Sequence, residues 1–99
     1  MNDLLNDNRI CVELWRIITG HGYRGQKEKA IEELCELATE LARDLQGDGN
    51  RDRITGEMAD VYVMLAQLEL MYGNQKEVQD VAAEKVRRTI ERIDKLAED

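Results

Sequence analysis

Proline and phenylalanine are absent from the 99 residues, and histidine and tryptophan occur once each. Without proline no segment is barred from a helix. Alanine, leucine, glutamate and arginine are plentiful, and straight-chain residues lose little rotamer freedom there. Cysteine is scarce: Cys11 and Cys35 sit inside helical patterns without metal-clip spacing, which reads as free thiols in a reducing cytoplasm. No basic region precedes a long apolar run at the start, and no apolar stretch approaches membrane-spanning length. The expectation is therefore a cytoplasmic protein with no membrane partner. A basic excess is also lacking. The net charge of -7 argues against a nucleic-acid polymer as partner, because its phosphates need a basic face. The phosphate-loop pattern Gly-x-x-x-x-Gly-Lys-Ser/Thr is missing. So are the paired Glu-x-x-His motifs of carboxylate-bridged di-iron bundles. The length suits one compact domain, residues 1–99, and is too short for two.

What is present reads as four helices punctuated by glycine. The first runs from about Asp3 to Thr19, with Leu4, Leu5, Ile10, Leu14, Ile17 and Ile18 as apolar positions. Gly20, Gly22 and Gly25 then break the pattern around His21, which reads as a surface-loop residue. A second helix spans about Gln26 to Gln46, and Ile31, Leu34, Ala38, Leu41 and Leu45 share one face. Gly47-Asp48-Gly49-Asn50 is a loop by composition. The third helix, about Arg51 to Tyr72, is apolar in nearly every direction and must be covered on all sides. Three other helices of one short chain can hardly do that, so a homo-oligomer is expected. Gly73 is a C-terminal stop. Asn74 and Glu77 form a capping-box pattern opening a fourth helix that reaches about Glu98. Val78, Val81, Ala82, Val86, Ile90, Ile93 and Leu96 give that helix a single apolar stripe.

Two acidic clusters carry the strongest chemical signal. The second helix holds Glu32-Glu33-Leu34-Cys35-Glu36 and the third holds Glu57-Met58-Ala59-Asp60. At about 100° per residue, Glu33 and Glu36 lie some 60° apart, as do Glu57 and Asp60. Each pair projects from one side of its helix, as two ligands of a shared cation would. On the second helix the carboxylates lie opposite the apolar stripe, where a solvated polar face is the plain explanation. On the third, Glu57 and Asp60 begin a largely apolar segment and would be drawn inward. Buried carboxylates need partners, either a metal or cations from another helix. Oxygen-only ligation points to Mg²⁺, or Mn²⁺ in its place.

Glu32-Glu33-x-x-Glu36, a spacer of about twenty residues, and Glu57-x-x-Asp60 together resemble the signature of the MazG-like all-α nucleoside triphosphate pyrophosphohydrolases. The words "AIEELCELATEL" and "GEMADVYVMLAQLELMYG" are similar to the second and third helices of that superfamily. "EKVRRTIERI" is similar to the basic last helix of its small single-domain members. The resemblance covers roughly residues 26 to 93. It implies an antiparallel four-helix bundle assembled as a homodimer or homotetramer. It also implies Mg²⁺-dependent hydrolysis of nucleoside triphosphates to monophosphate and pyrophosphate, with a role in nucleotide-pool housekeeping. Glu33, Glu36, Glu57 and Asp60 would then be the metal ligands. Glu32 would be an accessory acid that, with Glu36, serves the attacking water. A substrate this anionic needs cations, and the resemblance assigns the phosphate tail to Lys85, Arg88 and Arg92. Those three would otherwise pair with Glu84, Glu91 or acids of neighbouring helices.

Trp15 is a candidate for stacking on a nucleobase, against the plainer reading of a core or interface tryptophan. Gly56 beside Glu57 departs from the bulkier or acidic residue common in MazG-like proteins. The contrasting functional reading is a helical-bundle interaction protein whose acidic clusters only form salt bridges. Placement of Glu57 and Asp60 in the apolar helix favours the metal site.

Overall fold

The computed structural model describes residues 3–98, so residues 1, 2 and 99 of the expected domain lie outside the described residues. The described chain is all-helical. A short 3₁₀ turn, Asp3–Asn6, leads into α1 (Asn8–Leu45), α2 (Arg51–Tyr72) and α3 (Gln75–Glu98). Asp7 caps α1 by accepting hydrogen bonds from the backbone N–H of Arg9 and Ile10, and Asn50 caps α2 by accepting from that of Arg53. These side chains satisfy donors that the first turn leaves orphaned. Gly73 ends α2 with φ 62 in the left-handed region, its N–H bonded to the Glu69 carbonyl. No described helix is long and apolar enough to cross a membrane.

The expected first and second helices run on without an intervening loop as α1, two helical segments that meet at Gly22. Of the three glycines between them only Gly22 leaves helical geometry, at φ 82 and ψ 158, a region open in practice to glycine alone. Gly20 and Gly25 stay helical. Glycine in a helix costs about 1 kcal/mol, which weakens a helix without forbidding it. The result is a kink where a loop was expected, and His21 belongs to the kinked helix.

A short turn folds α2 back along α1 in one antiparallel register. Glu40 of α1 meets Arg53 of α2, and Gln26 of α1 meets Gln67 of α2. A step of fourteen residues down α1 is matched by the same step up α2. Leu14, Ile18 and Ala30 of α1 are buried with Val61, Met64 and Ala66 of α2. Nearly as many polar residues are buried: Gln26, Glu33, Glu40, Gln67 and Glu69.

This packing inverts one expectation. The apolar stripe of the second half of α1 faces outward: Ile31 is 63% and Leu45 90% exposed, and Leu34, Ala38 and Leu41 are exposed with them. The face turned toward α2 carries Gln26, Ala30, Glu33 and Glu40. Glu33 and Glu40 thus belong to the inner face of the hairpin, while Glu32 and Glu36 stay exposed. Helical periodicity identifies two faces but not which one the partner helix of the same chain takes.

α3 has no buried residue. It touches α2 and makes no packing contact with α1, so its stripe from Val78 to Leu96 lies open. The whole chain is correspondingly extended. Its radius of gyration is 16.6 Å, against about 12.6 Å for a compact chain of this length. Its accessible surface is 7515 Å², against roughly 5,800 Å² for a compact monomer of this mass.

Candidate functional site

The hairpin register brings the two acidic motifs face to face, Glu36 across from Glu57 and Glu33 across from Asp60. Carboxylate oxygens of Glu33, Glu36 and Glu57 lie within 4.8 Å of one another. Glu33 is buried, Glu57 half-buried and Glu36 exposed. Lys29, one turn before Glu33, places its Nζ 3.0 Å from Glu33 Oε1 and 3.8 Å from Glu32 Oε2. That ammonium satisfies only part of the cluster. Glu33 Oε2 and Glu57 Oε2 are buried with no hydrogen-bond partner. Two orphaned oxygens among three carboxylates leave the cluster short of donors, because an ionised carboxylate can only accept.

The electrostatics agree. Ionised Glu33 pushes the Glu36 carboxyl above its ordinary range. Partial desolvation, a hydrogen bond to Glu33 and the charges of Glu57 and Glu32 add to the push. Lys29 is raised in turn, chiefly by its hydrogen bond to Glu33 and then by the charges of Glu32 and Glu33. The donor set, oxygen-only and acidic, fits a hard divalent cation such as Mg²⁺.

The other sequence candidates fall in different places. Asp60 lies outside the three-carboxylate group and is exposed. It borders, with Glu33, an adjoining concavity of about 430 Å³. Glu32 is exposed beside Lys29 and acts on the cluster through its charge. Trp15, 38% exposed, does not line that concavity. Lys85, Arg88 and Arg92 border a separate open groove on α3, with Arg88 paired to Glu84. Within one chain the structure does not bring these three to the carboxylates.

Three participants escaped the sequence reading: Lys29, Gln26 and Gln67. Lys29 stands four residues before Glu33, a spacing that pairs side chains on a helix. Gln67 interrupts the apolar run "VMLAQLELM", and a lone amide there signals a buried partner. That partner is Gln26, whose amide nitrogen donates to Gln67 Oε1. Gln26 sits in a polar stretch and carries no comparable signal. Compared with known proteins, the chain matches no family model, no curated protein and no solved structure.

Proposed function

We propose that this protein is a Mg²⁺-dependent nucleoside triphosphate pyrophosphohydrolase of the MazG-like kind, working as a homo-oligomer. The observation that carries the reading is the pair of buried, unpartnered oxygens, Glu33 Oε2 and Glu57 Oε2, in a cluster with Glu36. Buried carboxylate oxygens without a partner cost stability, and a bound cation would offset that cost. Glu33, Glu36 and Glu57 would hold the ion, with Asp60 joining from the rim. Bound there, Mg²⁺ would neutralise phosphate charge and lower the pKa of water. Glu36, whose carboxyl holds its proton unusually well, is suited to accept a proton from the attacking water, with Glu32 beside it. Water would add to the α-phosphorus and the bond to the β-phosphate oxygen would break, releasing monophosphate and pyrophosphate.

Oligomerisation is supported by the apolar surface that one chain leaves open. The excess over a compact monomer, roughly 1,700 Å² per chain, would amount to an interface of obligate-homodimer size, about 2,000–5,000 Å² in total. The outward stripe of α1, the exposed Met58, Leu65 and Tyr72 of α2, and the α3 stripe would all be covered. A closed four-helix bundle then forms between chains, as a dimer or a dimer of dimers. Lys85, Arg88 and Arg92 would reach a phosphate tail through that assembly, since α3 does not contact α1 of its own chain.

The test is incubation with a panel of nucleoside and deoxynucleoside triphosphates, with Mg²⁺ or with EDTA, measuring monophosphate and pyrophosphate together. Equal, Mg²⁺-dependent release of both is expected. Orthophosphate release, or turnover unaffected by EDTA, would overturn the assignment. Sedimentation equilibrium at micromolar concentration is expected to give a dimer or tetramer, and a clean monomer would overturn the assembly.

A further inference from the structure

The concavity beside the carboxylates has features that holding a cation does not require. Ile17, Val63 and Met64 give it apolar walls, while His21, Gln26 and Gln67 line it with polar groups. Its volume of about 430 Å³ falls in the usual range of small-molecule sites, about 300–1,000 Å³. Glu33 and Asp60 belong to the same concavity. They stand seven residues from Gln26 and Gln67 on their respective helices, about 10 Å along the helix axis. A ligand with its phosphates at the carboxylate end would therefore place its other end among the amides.

The polar groups are wired in series. His21 Nδ1 lies 2.9 Å from Gln26 Oε1. Since an amide oxygen only accepts, the imidazole N–H is the donor. Gln26 Nε2 donates in turn to Gln67 Oε1. On a regular helix residues five apart point about 140° away from each other. The kink at Gly22 is what lets His21 reach Gln26. Both glutamines are only 2% exposed, so their amides are held in place. With Gln67 Oε1 occupied, its amide N–H group is the one left to meet a ligand.

We infer that the His21–Gln26–Gln67 chain is the specificity determinant of this site. It presents the Gln67 amide N–H to the ring carbonyl of an oxo-base of the uracil, thymine or guanine type. The inference rests on the proposed nucleotide reading and adds the base. Cytosine and adenine place an amino group where those bases have the carbonyl. They would set donor against donor and leave the Gln67 amide unsatisfied. A site built around one hydrogen bond rejects the mismatched partner more strongly than an apolar pocket rejects a methylene.

The experiment compares kcat/KM for the uridine, cytidine, guanosine and adenosine triphosphates in the wild type, Gln67→Met and His21→Ala. In parallel, binding of the four nucleoside 5′-monophosphates is measured by calorimetry in EDTA. Circular dichroism checks folding, and the exposed His21 site supplies a variant that leaves the core intact. The wild type is expected to favour uridine over cytidine and guanosine over adenosine by at least about tenfold, or 1.4 kcal/mol. Gln67→Met should flatten both ratios, and His21→Ala should reduce them in part. A preference for amino-bearing bases, or ratios unchanged in Gln67→Met, overturns the inference. Pyrophosphate release without base discrimination would sink the inference and leave the hydrolase reading standing. Discriminating monophosphate binding without turnover would do the reverse.

Discussion

Glu33 and Glu40 stand two turns apart on α1, are buried alike at 6% and 7% exposure, and face the same helix. Their surroundings differ. Both oxygens of Glu40 are matched, Oε1 with Arg43 and Oε2 with Arg53, each at 3.2 Å. Glu33 has Lys29 on one oxygen and nothing on the other, and it faces Glu36 and Glu57 instead of arginines. Glu40 pins the start of α2 against α1 one turn from Glu57 and so holds the register in which the acidic motifs meet. The satisfied glutamate is a fastener, and the other belongs to a carboxylate cluster and keeps one oxygen unpartnered. Burial alone would not have told them apart.

Substitution should split the two cleanly. Glu33→Gln and Glu57→Gln are expected to cut Mg²⁺-dependent turnover by at least about 10–100-fold, yet leave the cation-free protein as stable as before or more so. A neutral amide at position 57 removes a charge from the crowded cluster, and at position 33 it gives up the Lys29 ion pair in exchange for relief from the Glu36 and Glu57 carboxylates. Glu40→Gln should act in the opposite sense. It should lower stability by about 1–3 kcal/mol, while turnover per folded molecule falls far less. Urea unfolding in EDTA and turnover on the same preparations check both. Equal destabilisation by Glu33→Gln and Glu40→Gln would erase the distinction.

A cation sharpens the comparison further. Mg²⁺ or Mn²⁺ at a hundred times its dissociation constant should stabilise the wild type by about 2.7 kcal/mol, read as a rise in Tm. The rise should persist in Glu40→Gln and vanish in Glu33→Gln. Asp60→Asn, at the rim, should only weaken it. The kink offers a smaller effect. Gly22→Ala should cost about 1–3 kcal/mol and Gly20→Ala should gain up to about 1 kcal/mol, since a Cβ at either meets nothing within 4 Å. Only backbone conformation separates the two positions, and thermal unfolding reads the difference.

The smallest effect is a pH dependence. Glu36 holds its proton above the ordinary carboxylate range because ionised Glu33 stands beside it. The folded state therefore binds more protons than the unfolded one in that window, and cation-free stability falls as pH rises through it. Glu36→Gln keeps a neutral side chain at every pH. Its Tm should match the wild type at acid pH and pull ahead as pH rises, in EDTA. A constant difference across the range would remove Glu36 from the coupled cluster.

Much of the architecture was legible in the residues. Composition, capping side chains and the glycine loop placed α2 and α3 within a residue of where they lie, because these signals act over a few neighbouring residues. The acidic motifs were legible as pairs because helical periodicity sets which residues share a face. Of the glycines at 20, 22 and 25 only Gly22 marks the break between the two helical segments of α1, and only a backbone torsion distinguishes it from the two helical ones. Ile31, Leu34, Leu41 and Leu45 share one apolar face, and within this chain that face is turned away from α2.

The sequence by itself determined that the protein is helical, where its carboxylates recur and that its third expected helix is apolar on nearly every side. Local propensity and periodicity suffice for each. Only the tertiary structure decided that the hairpin closes on its carboxylate face, that Glu40 finds two arginines while Glu33 finds none for its second oxygen, and that Gln26 meets Gln67. Each of these depends on the register of α1 against α2. That register is set by contacts between residues 13 to 41 positions apart, beyond the reach of any local pattern.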